Sequence, residues 1–421
     1  MMKLDKIISI LDENAMIDDY VISLNRRKSS ELFYAKKSLE LNRFVEVESI
    51  SVEIYVDHDE YRGSSNVVIT AADNVSSFKR KLGAAIRKAR AINNPWFPIA
   101  EKCADVDEGT LEEEDLNKLS AKAAKAIFKA DNREDVWLSA TEIFASMKEE
   151  EIITSKGNHH RHGQFELFIE VIPTVRHNGS EFEVYKAIRK GYVKPKEIER
   201  EIAETMDDAL LRAKAHSLSE VEIDKDVLVL IGGDMLENIV DGFASELSYR
   251  TIYNHQNHFI KGDEVADGSL NIKLDHYAKG CLSSKGFDKS GLKLTGKTII
   301  RNGKAIGNYG ELRYAHYLKK KATGNLPIII LGGEAVDYHH KKHLLIKNFS
   351  SPQYESSSGY FGGEVRLALY YDGNEYIPLT GFSIAGNIYN DIRNVKVSKE
   401  ETTMSYYKGP KYLIFSNLSI Y

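Results

Sequence analysis

A chain of 421 residues with 42% hydrophobic and 28% charged side chains has the length of two domains and an ordinary globular composition. Its formal net charge of −5 argues against a nucleic-acid partner held by electrostatic attraction, because phosphate binding needs a basic face. No apolar run approaches the roughly 20 residues that span a bilayer, and two distant cysteines cannot build a disulfide framework, so we expect a cytoplasmic protein without a membrane partner.

The first half mixes helical and strand periodicity. Helices are predicted where apolar side chains recur every three or four positions, at residues 3–23, 75–92, 115–130, 132–147 and 195–215. Strands are predicted within residues 32–39, 44–58, 64–71, 159–175 and 182–188. The order of these elements predicts an α+β domain over residues 1–222, an antiparallel sheet with helices, with a divergent stretch at about 99–165.

A second domain, residues 223–421, opens with DVLVLIGGDMLENIVDGFASELS, Asp226–Ser248. This order predicts a buried strand, a Gly-Gly turn, Asp234 as the helix N-cap and an amphipathic helix. Met235, Ile239 and Phe243 step by four along the predicted inner face. The opposite face, which carries Glu237, is expected to be solvated.

The rest of this domain is rich in short strands and glycines. Short alternating runs at residues 257–265 and 268–275 predict strands, and Asn302-Gly303 and Asp372-Gly373 are typical of hairpin turns. A short helix is predicted at 311–321. We therefore expect a sheet-dominated domain, either a sandwich or a barrel-like assembly.

Candidate metal ligands are sparse. None of the 13 histidines is followed by Glu, so a His-Glu zinc motif is absent from the sequence. Glu237 and Asp241 are four residues apart on the predicted helix and form one weak candidate pair, with a solvated flank as the simpler interpretation. His339 and His343, with Asp337 nearby, form another if that segment is helical; otherwise they lie in a surface turn.

Three further histidines, His159, His160 and His162, precede a predicted strand and are expected in a turn. A metal site and a flexible surface turn are the two interpretations of this group, and the turn is favoured.

Four ordered segments of the second half resemble the TldD/PmbA family, whose members have been called modulators of DNA gyrase and act as metalloproteases on peptides. The segments are Gly286–Tyr309, with Phe-Asp-x-x-Gly and Ile-x-Asn-Gly patterns, Lys321–Asn325, Ser358–Glu364, and Pro378–Asn387, with a Pro-x-x-Gly-x-x-Ile-x-Gly-Asn pattern. The first half resembles the family more loosely, around residues 30–92.

The resemblance implies two kinds of chain. TldD-like chains carry His-Glu-x-x-x-His on the first helix of the second domain and a later Cys as zinc ligands, whereas PmbA-like chains, also called TldE, lack them. The equivalent helix here is Asp234–Ser248, which contains neither His nor Cys, and the last forty residues contain no Cys. The resemblance therefore implies a TldE/PmbA-like chain, with no cofactor expected on this chain and zinc on a partner.

Three functions remain open at this point. The first is a non-catalytic subunit that pairs with a TldD-like chain, or forms a homodimer, and lines a peptide cleft through Asn325 and Asn387; these two asparagines are also typical turn residues. The second is a metalloprotease in its own right, with a metal at the Glu237 or His339 candidates. The third is a self-pairing binding protein without proteolysis.

Overall fold

The computed structural model describes residues 2–109, 115–224 and 226–421. It confirms a mixed, sheet-dominated α+β architecture that fits two domains. Within the described ranges, no helix is both long and apolar enough to cross a membrane.

Elements of the first half form one sheet with helices against it. In chain order they are α1 (Leu4–Asp12), β1 (Asp19–Ala35), β2 (Ser38–His58), β3 (Tyr61–Ile69), α2 (Val75–Arg90), β4 (Asp107–Glu108), α3 (Leu116–Ala130), β5 (Val136–Thr154), β6 (His159–His177), β7 (Ser180–Glu183), β8 (Lys186–Lys190) and α4 (Pro195–Ala213). The sheet order is β3-β2-β1-β5-β6-β4, and β7 and β8 also pair with β6. The long strands β1, β2, β5 and β6 pair antiparallel.

Two predicted helices of the first half are wrong in whole or in part. The helix predicted at 3–23 ends at Asp12, and Asp19 already pairs with Tyr55 as the start of β1. The helix predicted at 132–147 is the strand β5. A bulge between Leu138 and Ala140 interrupts the alternation of β5, and its pairing with both β1 and β6 overrides the helical propensity of its residues.

Two clusters of buried side chains hold the helices against the sheet. One joins α1 and α2 to strands β1–β3 around Ile22, Ile54 and Phe78. The other joins α3 and α4 to β5, β6 and β8 around Ile143 and Ile202. Burial of these apolar faces, rather than propensity, fixes the positions of the helices.

The second half contains many short strands. In chain order its elements are β9 (His216–Ser217), β10 (Leu228–Ile231), α5 (Gly233–Ser245), α6 (Tyr249–Tyr253), β11 (Asn271–Asp275), β12 (Lys297–Arg301), β13 (Lys304–Ala305), α7 (Leu312–Tyr317), β14 (Ile328–Gly332), β15 (Ala335–Val336), β16 (His343–Phe349), β17 (Gln353–Glu355), β18 (Tyr360–Tyr371), β19 (Tyr376–Thr380), β20 (Phe382–Asn387), α8 (Ile388–Asp391), β21 (Lys396–Ser398), β22 (Glu401–Thr403), β23 (Tyr407–Pro410), β24 (Leu413–Phe415) and β25 (Ser419–Ile420). Short 3-10 turns occur at Leu218–Glu220 and Ile392–Asn394.

These strands build two sheets around one core. The larger has the central order β15-β21-β24-β10-β16-β18-β19-β9, and the smaller has the order β13-β12-β11-β14-β23-β22. Side chains from both sheets and from α5 share a single buried cluster that includes Ile239, Phe243, Phe361 and Tyr407. Helix α5 is therefore a central element of this half.

Several turn predictions are confirmed, and one strand prediction is wrong. Asn302 and Gly303 both have positive φ, 49° and 71°, as the predicted hairpin between β12 and β13 requires. Strands β18 and β19 pair around Asp372-Gly373. The strand expected at 257–265 is replaced by one isolated bridge between Glu264 and Lys304.

The two halves pack directly against each other. Phe287 of the second half is fully buried in a cluster with Tyr55 and Phe97 of the first half. Lys285 and Glu150 form an ion pair of 2.6 Å across the same boundary. The halves therefore share a fixed contact beside the carboxyl ends of β5 and β2.

Candidate functional site

Helix α5 follows the buried strand β10 without a side-chain cap. Gly232 is its N-cap, and Gly233 begins the helix with φ of 60°, a conformation that glycine adopts without steric cost. The N-cap predicted at Asp234 is therefore wrong, because the glycine turn closes before the carboxylate and leaves Asp234 in the first helical turn. Its negative charge there suits the helix dipole.

The apolar face of α5 is buried as predicted. Met235, Ile239 and Phe243 are at most 2% exposed and lie in the central core. Gly242 allows the ring of Tyr354 to approach closely, since a Cβ at this position would lie 2.1 Å from that ring. The apolar side of the helix thus fixes the direction in which its polar side points.

The polar face departs from the expectation of a solvated flank. Asp234 and Asp241 are exposed, but Glu237 between them is only 7% exposed. Its Oε1 atom is buried and has no hydrogen-bond partner among the described residues. Tyr406, which precedes β23, interacts with the same carboxylate through its backbone and its phenol.

Burial dominates the electrostatics of this face. It raises the pKa of Glu237 to about 7, with a further rise from the negative charge of Asp234 and an opposing effect of Tyr406. The surrounding protein also raises the pKa of Asp241, although that side chain is open to solvent.

Tyrosines surround these carboxylates. Burial raises the pKa of Tyr406, and the charges of Glu237, Asp241 and Asp234 raise it further. Burial and then the charge of Asp241 raise the pKa of Tyr309 in the same way. We use the name acidic face of α5 for the three carboxylates of the helix together with the two tyrosines beside them. These residues are Asp234, Glu237, Asp241, Tyr309 and Tyr406.

The acidic face also approaches the first half of the chain. The charge of Asp234 contributes, after burial and Glu170, to the raised pKa of Tyr185 in the connection between β7 and β8. Asp234 is therefore within electrostatic reach of the first half.

The thiol of Cys281 lies within reach of the charge of Glu237 but has a backbone partner of its own. Cys281 is buried, its Sγ donates to the backbone oxygen of Tyr407 at 3.5 Å, and burial raises the pKa of its thiol. Across residues 2–109, 115–224 and 226–421, no group of three or more His, Cys, Asp or Glu side chains is arranged to hold a metal ion. Glu237 and Asp241 are thus near each other without forming a three-ligand site.

The histidines of the DYHHKKHLL segment have separate partners. His343 begins β16 and is fully buried, with Nδ1 2.8 Å from the backbone oxygen of Lys341, and burial lowers the pKa of its imidazole. His339 is exposed and lies 3.1 Å from Glu400. The helical turn that chelation by the pair requires is absent, because the chain there enters a strand.

The His159–His162 group lies within β6 rather than in the predicted turn, so the expected surface turn is wrong. His160 is fully buried, stacks on Phe287 with ring centroids 5.1 Å apart and lies 3.0 Å from the backbone oxygen of Gly291. His162 instead pairs with Glu108 at 2.8 Å. His160 thus has a structural role in joining the two halves.

The two asparagines predicted to line a cleft occupy different environments. Asn325 is exposed, and its Nδ2 donates to Glu311 at 3.3 Å. Asn387 is the N-cap of α8: its side chain accepts from the backbone N–H of Tyr389 at 3.1 Å and donates to the backbone oxygen of Ser358 at 2.7 Å. A contact of either residue with peptide stays a prediction.

Sequence patterns did not identify the tyrosines of the acidic face. Tyr309 and Tyr406 are distant in sequence from α5, and neither belongs to a motif that names a role. Tyr309 ends the Gly286–Tyr309 segment of the family resemblance, and the chain has 23 tyrosines, but neither signal places the two rings beside α5.

The carboxyl-terminal half matches a known family. Residues 224–421 match the family model of the PmbA/TldA metallopeptidase C-terminal domain. This match confirms the resemblance that the four sequence segments predict. No curated protein matches the chain by sequence.

Solved structures share the fold over the whole length of the chain. TldE from Thermococcus kodakarensis is 15% identical with a TM-score of 0.79, covering 99% of each chain. A candidate modulator of a DNA gyrase from Thermotoga maritima is 17% identical with a TM-score of 0.80, again covering 99% of each chain. A similar candidate from Bacteroides thetaiotaomicron is 12% identical with a TM-score of 0.78, covering 100% of this chain and 99% of that one. At these identities the likeness concerns the fold.

Proposed function

We propose that this chain, whose residues 224–421 carry a PmbA/TldA metallopeptidase C-terminal domain, is a non-catalytic, TldE/PmbA-like subunit of a TldD/PmbA-type metalloprotease. In this proposal it acts in the cytoplasm, pairs with a TldD-like chain and lines part of a peptide-binding cleft. The zinc ion is held by the partner chain, and the reaction is the maturation or degradation of peptides.

The donor chemistry of α5 carries this proposal. Catalytic zinc is usually held by three protein ligands, most often histidines with a carboxylate or thiolate. The polar side of α5 offers four possible ligands, and all of them would bind a metal through oxygen. They are Asp234, Glu237, Asn238 and Asp241. None of these side chains is an imidazole or a thiol.

The surroundings of α5 support the peptide cleft. Asp241 is exposed, burial nevertheless raises its pKa, and its charge acts on the half-buried Tyr309 and Tyr406. The nearby strand β22, Glu401–Thr403, is an end strand of the smaller sheet. An extended peptide can bind such an edge through backbone hydrogen bonds, with side chains entering adjacent pockets.

An unpaired strand edge supports the pairing of two chains. Strand β3 pairs with β2 only from Ile50 to His58, so the outer edge of β2 from Ser38 to Ser49 has no partner strand among the described residues. This edge carries exposed apolar side chains: Leu39, Leu41, Phe44 and Val47 are 46–55% exposed. Exposed apolar edge strands are surfaces at which another chain adds, and we assign this edge to the TldD-like partner.

Metal analysis with peptide hydrolysis tests the proposal. The purified chain is expected to contain far less than one zinc per molecule after growth with zinc, and to leave an unstructured test peptide intact. A TldD-like chain prepared in parallel serves as the positive control for both measurements. Stoichiometric zinc together with hydrolysis by this chain alone would replace the proposal with a metalloprotease in its own right.

A further inference from the structure

Three carboxylates on α5 have no cationic partner in the part of the chain that the structure describes. Asp234, Glu237 and Asp241 are spaced i, i+3 and i+7, which places them along one side of the helix. Within residues 2–109, 115–224 and 226–421, no Lys, Arg or His nitrogen forms an ion pair with any of the three. This contrasts with buried Glu31 and Asp19, which pair with arginines.

Glu237 is the member of this group with a buried acceptor atom that lacks a hydrogen-bond partner among the described residues. It is 93% buried, since 7% of its surface is exposed, and its Oε1 receives no hydrogen bond from the described residues. A buried acceptor without a donor is unfavourable, and more so when it carries a charge. The negative charge of Glu237 is therefore uncompensated among the described residues, and a positively charged group at this face would offset it together with the repulsion from Asp234.

Aromatic rings complete the surroundings. Tyr406 lies close enough to Asp234, Glu237 and Asp241 for all three charges to act on it, and Tyr309 is in the same relation to Asp241. Faces of aromatic rings attract ammonium and guanidinium groups, and carboxylates form charge-assisted hydrogen bonds with the same groups. Carboxylates combined with tyrosines therefore favour an organic cation.

The geometry disfavours a bare metal ion at the same place. Metal ions require three or more ligand atoms at about 2.0–2.6 Å from one point. The described His, Cys, Asp and Glu side chains do not form such a group here or elsewhere in the described part of the chain. A guanidinium or ammonium group presents several N–H donors over a wider span and can contact carboxylates that do not converge.

We propose that the acidic face of α5 binds a positively charged group of a peptide, either a Lys or Arg side chain or the amino terminus. This inference rests on the proposed peptide cleft and adds a substrate preference to it. Asp234 and Asp241, which are exposed, accept hydrogen bonds from the cation, and the buried Glu237 adds negative charge behind them. Tyr309 and Tyr406 lie within reach of the same charges.

Matched peptides test this preference. The probes are a fluorescent hexapeptide with one central lysine and the same peptide with norleucine, which keeps the aliphatic stem and removes the charge. Acetylated and free amino termini of each peptide separate the side chain from the terminus as the source of the cation. Fluorescence anisotropy with the full-length chain, in buffer containing a chelator, reports the dissociation constants.

At least one charged probe is expected to bind about tenfold or more tightly than its uncharged counterpart, the effect of one charge-assisted contact. Glu237→Gln and Asp241→Asn should each remove most of this preference, measured as the ratio of the dissociation constants of the uncharged and charged peptides. Glu375→Gln, an exposed acid elsewhere in the same half, is the control and should keep the preference.

Several results would overturn the inference. These are equal binding of charged and uncharged peptides, absence of binding by all of them, or variants that weaken every peptide alike. Binding that appears only when a divalent cation replaces the chelator would assign the face to metal instead. The proposed subunit role is judged separately by zinc content and hydrolysis, so a failed charge preference leaves those results standing.

Discussion

Replacement of Glu237 by Gln gives the sharpest test of the unusual carboxyl on α5. Glu237 is nearly fully buried, and its Oε1 has no partner among the described residues. Gln keeps the size of the side chain and the hydrogen-bonding potential towards Tyr406, but it cannot ionise. The variant therefore isolates the free-energy cost of the negative charge.

The magnitude follows from the pKa. Burial raises it from the ordinary 4.5 to about 7, so between these values the folded chain keeps a proton that the unfolded chain has lost. Stability must then fall as pH rises through this window, and the fall is complete above pH 7. The rise in pKa corresponds to a loss of roughly 3 kcal/mol in the free energy of unfolding. The Glu237→Gln variant does not lose this stability as pH rises, because its amide does not ionise.

Urea unfolding at a series of pH values measures the effect. The free energy of unfolding of Glu237→Gln minus that of the wild type should increase by about 3 kcal/mol between pH 4.5 and pH 8. The exposed Glu375→Gln variant should instead run parallel to the wild type. A difference between Glu237→Gln and wild type that stays constant over this range would refute the buried, unpaired state of Glu237.

Three further predictions concern pairing and packing. Phe44→Glu on the free edge of β2 should weaken association with a TldD-like chain at least about tenfold by light scattering, while Ile260→Glu, at an exposed loop residue, should not. Gly303→Ala should lower the urea midpoint more than Gly373→Ala, because both have positive φ but only the new Cβ at Gly303 would meet backbone atoms, at 2.5 Å. Phe287→Ala should cost about 3–5 kcal/mol of unfolding free energy and expose the boundary between the halves to limited proteolysis; an unchanged urea curve would contradict its buried position.

Local patterns predicted the elements whose own residues decide their structure. Apolar residues spaced four apart from Met235 to Phe243 predict the buried face of α5. The Asn302-Gly303 pair predicts a hairpin turn because both residues readily adopt positive φ. The resemblance to TldD/PmbA chains likewise rested on short segments, and it agrees with the family match over residues 224–421.

Elements that depend on distant contacts were predicted poorly. The sequence predicts a helix at β5 because a bulge near Leu138 breaks the alternation of the strand and because one of its partners, β1, lies about 100 residues away. Glu237 was assigned to solvent because the residue that covers it, Tyr406, follows it by 169 positions in the chain. His160 was assigned to a surface turn, yet Phe287 of the other half buries it. Each error reflects a tertiary contact that no local window contains.

Reconstitution with a partner tests the central claim most directly. The measurement is the rate of hydrolysis of an unstructured peptide by a TldD-like chain from the same organism, with and without an equimolar amount of this chain. A non-catalytic companion should give no hydrolysis alone and should raise the rate of the partner by at least about tenfold, with zinc bound to the partner only. Equal rates with and without this chain, or zinc and activity that copurify with this chain, would contradict the account.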